Sequence, residues 1–291
     1  VARKLITAIT WSIVQPDSNI LQIRLSDDSV PKYVVDKLCA TMATYFIQSP
    51  VPWTLTVRHV ICSLHNGNFV ALDMLSTYPD TSQIVGQLPA AKLFVVTRFC
   101  TILAEDVESG TNLGPQYHHL DALLKSNTID TAVIINHVFS ISTPLLNEIR
   151  KEGMVCFSAW ITYGYEYWKT DPVALQMLQN LTPMAIGYLL HHDEDVRDPT
   201  LHLFVNILES RSKFLQKEHL ESISLMVRKD IGPQCLQQIM DFNDPTIVAF
   251  SKLIVAYGKL VVKDLISERD KESSQEIIGM LDNHASNSSI R

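Results

Sequence analysis

Between Asp244 and Ile266 the apolar residues Ile247, Phe250, Ile254, Tyr257, Val261 and Leu265 follow at steps of 3, 4, 3, 4 and 4. That spacing lays them along one face of an α-helix and along no face of a β-strand, whose side chains alternate. Asp244-Pro245 opens the run with an N-cap acceptor and a proline at the first helical position, where a missing N–H costs nothing. The pattern returns in Val30–Gln48, through Val34, Val35, Leu38, Met42, Tyr45 and Phe46, and in Leu88–Asp106, through Val95, Val96, Phe99, Ile102 and Leu103. Further helices are predicted at about Pro52–Leu64, Phe69–Tyr78, Thr128–Ser140, Pro144–Tyr165, Pro172–His191, Asp195–Ser210, Lys217–Met240 and Lys271–Leu281. Pro, Asp, Asn and Gly punctuate them. Ile20–Leu25 is the best strand-like piece, and one short strand makes no sheet.

A chain of 291 residues is at the size where a single core stops growing, whereas a stacked array has no such ceiling. Helix pairs are suggested at 31–64, 68–108, 116–165, 172–210 and 217–266, a period near 40 residues, which is that of HEAT-type hairpins. One hairpin cannot bury its own apolar stripe; stacked hairpins share a core and leave a concave surface free. The expected fold is therefore all-α: an α-solenoid of HEAT-type helical hairpins in a right-handed superhelical arch, one array over 1–291. Asp193-Glu194-Asp195-Val196-Arg197 sharpens this, because an Asp…Val-Arg element opens the second helix of such repeats and builds a polar ladder between hairpins. Asp195 is expected to cap the helix while Arg197 reaches a neighbouring acidic turn.

Two stretches carry a more specific resemblance. Val30-Pro31-Lys32-Tyr33-Val34-Val35-Asp36-Lys37-Leu38-Cys39 leads through Ala43-Thr44-Tyr45-Phe46 to Pro52-Trp53, then to Ala71-Leu72-Asp73-Met74-Leu75-Ser76-Thr77-Tyr78-Pro79; later comes Cys156-Phe157-Ser158-Ala159-Trp160-Ile161-Thr162-Tyr163-Gly164. These resemble early repeats of the importin-β (karyopherin) superfamily of nuclear transport receptors, in its transportin-SR and importin-thirteen-like branch, and the likeness covers most of 30–266. Tyr78-Pro79 stands where Leu-Pro or Val-Pro is usual, and the family's first one or two repeats would precede Val1, so the chain is expected to be a fragment of a longer receptor. The resemblance implies protein cargo on an inner surface, control by Ran-GTP, brief contacts with Phe-Gly nucleoporins, and shuttling between cytoplasm and nucleus. A HEAT scaffold without a transport role, in a coat or phosphatase assembly, is the alternative.

Net charge is −7, and no Lys/Arg block reaches the length of a nucleic-acid or anionic-membrane patch, so basic partners are expected and direct nucleic-acid binding is not. Leu38–Val57 and Pro172–Leu190 are uncharged for a bilayer's length, yet hold Gln48, Pro50 and Pro52, or Gln176, Gln179, Asn180 and Pro183. Each is expected to be a buried helix with a break, and no membrane insertion is expected. The five cysteines (Cys39, Cys62, Cys100, Cys156 and Cys235) are scattered and include no C-x-x-C, which fits a reducing compartment. Val1 is followed by no signal-peptide pattern.

Catalytic signals are weak. No G-x-S-x-G elbow, phosphate loop or H-E-x-x-H occurs, and 10 Gly leave little material for such loops. His59, Cys62 and His65 have an H-x2-C-x2-H spacing, but steps of three on a helix turn the outer two apart. His118-His119 and His191-His192 are expected in solvated turns, Trp53 and Trp160 as core anchors, and Trp168 as the more open aromatic. No enzyme activity, cofactor or metal is expected. The candidate contacts are Asp193, Glu194, Asp195 and Asp198, whose charge on an inter-helix turn would guide basic cargo.

Overall fold

A computed structural model of the chain describes residues 31–48, 53–111, 118–141, 147–163, 171–237 and 245–268. Ile20–Leu25, Trp168 and the Lys271–Leu281 helix lie outside them. Among the described residues the structure is all helical, without a strand. Its elements are α1 (Pro31–Gln48), α2 (Thr56–Asn66), a 3-10 helix (Leu72–Thr77), α3 (Thr81–Val85), α4 (Ala90–Thr111), α5 (His118–Ser140), α6 (Asn147–Tyr163) and α7 (Pro172–Gly187). Then follow a 3-10 turn (Tyr188–Leu190), α8 (Glu194–Ser210), a 3-10 turn (Ser212–Phe214), α9 (Lys217–Met226), a π-helical turn (Val227–Ile231), α10 (Gly232–Gln237) and α11 (Pro245–Glu268). No helix of these residues is long and apolar enough to cross a membrane.

Several elements depart from expectation. The predicted helix over Phe69–Tyr78 is a 3-10 turn followed by the short α3. The predicted helix at Thr128 begins ten residues earlier, so His118-His119 open a helix instead of lying in a turn. Lys217–Met240 is interrupted by the π turn. Pro183 does not break α7: it stands on the exposed side, where a carbonyl that has lost its amide partner can turn to water. In α11 the predicted Ile247 and Phe250 are buried, and the buried line then runs through Leu253, Ala256 and Leu260, shifted around the helix from the predicted stripe, while Ile254, Tyr257 and Val261 are half-buried. In α1 it is Cys39, Met42, Ala43 and Phe46 that are buried, and Val34 is exposed.

The chain alternates between two rows of helices. In one row α1 packs on α4, α4 on α6, α6 on α8 and α8 on α11. In the other, α2 and α3 pack on α5, α5 on α7 and α7 on α9. Across the rows α4 packs on α2 and α5, and α5 on α6, and the buried apolar residues form one cluster between the rows. Phe157 of α6 stitches successive pairs, meeting Phe139 of α5 edge-to-face at 5.8 Å and Phe214 beyond α8 at 6.4 Å. Fully burying a side chain of this size contributes about 1.5–3 kcal/mol. Where α5 crosses α6, an added Cβ on Gly153 would lie 2.5 Å from Val138 Cγ1, so the close approach there requires glycine.

Helix α2 is capped largely by its neighbours. Its own N-cap, Leu55, offers no side-chain acceptor; Asn127 on α5 supplies one, accepting from the Val57 N–H at 2.9 Å and donating to Thr54 O at 3.1 Å. At the other end Gly67 takes a left-handed φ of 74°, and Lys92 of α4 donates to Leu64 O at 2.7 Å.

Candidate functional site

The acidic residues singled out from sequence gather at the amino-terminal end of α8. Asp193, not Asp195, is the cap: its side chain accepts from the Asp195 N–H at 3.0 Å, because the residue just outside the helix has the extended backbone that aims its carboxylate back at the first free amides. Glu194 and Asp195 form the first turn, where the helix dipole favours negative charge, and Asp198 lies on the second.

These carboxylates have partners within the fold. Asn147 of α6 donates to Asp193, and Arg150 donates to Asn147 and to Ile141 O. Lys151 of α6 donates to Asp195 at 2.7 Å, a bond that holds the ammonium above the usual lysine range. Arg197 pairs with Glu194 at 3.3 Å and with Asp198 at 3.5 Å, and donates to Thr246 on α11 at 2.8 Å. Arg197 Nε and Asp198 Oδ1 are buried and have no hydrogen-bond partner among the described residues, where their ion pair at 3.5 Å compensates them. Arg197 thus links α8 to α11, and the carboxylates it pairs with, Glu194 and Asp198, belong to its own helix. Four carboxylates facing Lys151 and Arg197 leave the turn with net negative charge at its exposed rim, where Glu194 and Asp195 project.

Sequence reasoning missed the other half of this polar ladder. Arg98 of α4 donates to Asp36 of α1 at 2.7 Å and to Glu152 of α6 at 3.5 Å, and Thr101 donates to the same Glu152 oxygen at 2.8 Å. Burial opposes the Arg98 charge, but Glu152 and Asp36 outweigh it and hold the guanidinium above its ordinary range. The available signal was a charged residue inside each of two apolar helices, which must find a partner when the helix is buried. From α1 to α11, every successive pair in the longer row is therefore joined by a charged or polar bridge.

Other candidates resolve into structural roles. His59 is buried; Trp53 Nε1 donates to its Nδ1 at 3.0 Å, so its Nε2 donates to Val70 O at 2.6 Å. Burial holds its pKa below the usual value. His65 lies on the exposed side, 3.1 Å from Gln87 Oε1, away from His59. Trp160 is buried and donates to Cys100 O at 3.0 Å. His191 and His192 do lie in a turn, with rings stacked 4.4 Å apart, and His191 Nδ1 accepts from the Asp193 N–H. Burial raises the thiol pKa of Cys39, Cys62 and Cys156, which keeps them protonated and unreactive. No grouping of three metal-type ligands occurs among the described residues.

A cleft of about 210 Å³ opens on the longer row between α4, α6 and α8, lined by Glu105, Ser158, Thr162, Pro199, His202 and Asn206 among others. Asp198, His202 and Asn206 follow at steps of four along α8, which places them on one side of that helix.

No protein family, curated protein or solved structure was found to match this chain.

Proposed function

We propose that the chain is a protein-recognition array: an α-solenoid of HEAT-type hairpins in a right-handed superhelical arch, serving as a segment of an importin-β-type nuclear transport receptor. In this reading α4, α6, α8 and α11 are the second helices of successive repeats, α1 closes the repeat before them, and the longer row lines the inner surface. The observation that carries the proposal is the alternation of the chain between two rows whose successive members are bridged by Asp36–Arg98–Glu152, Lys151–Asp195 and Arg197–Thr246. Neighbour-only contacts of this kind leave a long surface free and make the stack springy. Cargo and Ran-GTP would then be coupled reciprocally through the curvature of the array, and Phe-Gly nucleoporins would contact the outer row by many weak insertions. The importin-like sequence stretches are what support transport in particular.

The test is capture of the chain by immobilised Ran in its GTP and GDP states and by Phe-Gly repeats. Preference for the GTP state together with Phe-Gly binding is expected. Equal or absent capture in both assays would sink the transport reading and leave a HEAT scaffold without that role. For the acidic turn, exchanging Asp193, Glu194, Asp195 and Asp198 for Asn or Gln is expected to weaken a basic partner mainly at low salt; an affinity unchanged at low salt removes these residues from the partner site.

A further inference from the structure

The helices of the longer row differ in what they show to water. Among the described residues α4, α6 and α8 expose no large apolar side chain. Helix α1 exposes Tyr33 and Val34 in its first turn and continues with Lys37, Thr41, Thr44 and Gln48. Helix α11, the last of the row, exposes Val248, Val255 and Val262, at 42%, 54% and 49%. Steps of seven return to nearly the same side of a helix, so these valines form one line about 21 Å long. It runs on the side away from the buried Leu253, Ala256 and Leu260. A polar group on a surface is satisfied by water and a lone exposed valine is ordinary, but an apolar line is satisfied by another apolar surface.

The chain itself carries such a surface. Residues 269–291 leave α11 directly at its end, Glu268. They include the helix predicted from sequence at Lys271–Leu281, outside the described residues, in which Ile277, Ile278 and Leu281 fall on one side. A return of about four residues is an ordinary connection between antiparallel helices, and at 1.5 Å per residue it brings Ile278 and Leu281 alongside Val262. Charge favours this occupant over a second copy of α11. Lys252 and Lys259 flank the valine line, and Lys259 already meets Glu209 at 3.3 Å. A second α11 would bring two more lysines to the seam, whereas 269–282 carries Asp270, Glu272, Glu276 and Asp282 against Arg269 and Lys271.

We propose that residues 271–281 fold back as a helix antiparallel to α11 and cover its valine line from Val262 toward Val255, with Ile278 and Leu281 against Val262 and Asp282 beside Lys259. This packing closes the carboxy-terminal end of the longer row and requires no transport role.

The experiment uses the full chain. Val262→Cys/Leu281→Cys is oxidised with copper phenanthroline and its cross-links are mapped by peptide mass spectrometry, beside the control Thr44→Cys/Leu281→Cys, whose first cysteine lies at the far end of the row. An intrachain link in the first pair alone is expected. No link, equal linking in both pairs, or a link only between two copies overturns the proposal. Hydrogen exchange gives an independent reading. Val262→Gln and Leu281→Gln are each expected to speed amide exchange in the carboxy-terminal half of α11 about tenfold, and the double variant no further. Gln forms helix more readily than Val, so faster exchange in Val262→Gln cannot come from propensity. Exchange in α11 that Leu281→Gln leaves unchanged, or a double variant that multiplies the two effects, overturns the proposal.

Discussion

Replacing Arg98 with Met keeps most of the aliphatic stem and removes the charge that joins α1, α4 and α6. The two halves of the bridge differ in burial. Asp36 is 33% exposed, so its bond is a partly solvated pair contributing about 0.5–1 kcal/mol. Glu152 is 9% exposed, and although Thr101 also donates to it, taking the guanidinium away from so buried a carboxylate costs roughly 2–3 kcal/mol. Arg98→Met is therefore expected to lose about 3 kcal/mol, against about 1 kcal/mol or less for Asp36→Asn. Removing the buried charge as well, in Arg98→Met/Glu152→Gln, should recover at least ~1 kcal/mol relative to the sum of the single changes. Urea unfolding by far-ultraviolet circular dichroism measures these differences, and hydrogen exchange on α4 and α6 locates them, which matters because a long stack of helices need not unfold in one step. Equal losses for Arg98→Met and Asp36→Asn, or additive losses in the double variant, would refute the assignment of Glu152 as the buried half of the bridge.

Asn127→Ala removes both the trans cap of α2 and the donor to Thr54 O; a loss of about 2 kcal/mol is expected in thermal melts, with exchange protection falling first at Val57. Gly153→Ala sets a helix-propensity gain of about 1 kcal/mol against a Cβ placed 2.5 Å from Val138 Cγ1, and the overpacking cost of roughly 1–3 kcal/mol should win. The double variant Gly153→Ala/Val138→Ala should relieve that clash, and a Gly153→Ala protein more stable than the original would contradict it. His59 has a folded pKa below its reference value of 6.5, so the unfolded chain takes up the proton first as pH falls. The stability that neutral His59 supports is thus complete above about pH 6.5 and is lost below it, by up to roughly 1.4 kcal/mol per pH unit. His59→Gln can keep both hydrogen bonds without titrating, so its melting temperature should fall less between about pH 7 and pH 5 than that of the original chain; identical falls would exclude His59 as a source of the acid sensitivity.

Helices with strong periodicity could be read directly. The core residues Val95, Val96, Phe99, Ile102 and Leu103 of α4 are all buried, because a stripe at steps of three and four has one face to hide. Propensity failed where neighbours decide: Phe69–Tyr78 tightens into a 3-10 turn, and α2 lacks a side-chain N-cap of its own. The acidic turn was visible as a run of Asp and Glu before a helix. That Asp193 caps it, and that Lys151 and Arg197 take up part of its charge, depends on α6 and α8 lying side by side.

By itself the chain determined that it is built of amphipathic helices, since their period, punctuation and low charge are local properties. Tertiary structure decided which helices share a row, that Arg98 bridges three of them, and that Ser158, Thr162, His202 and Asn206 face a common cleft. Ser158 and Thr162 are 40 or more residues from His202 and Asn206 along the chain, and a periodic pattern records which way a side chain points from its own helix, but not what stands opposite.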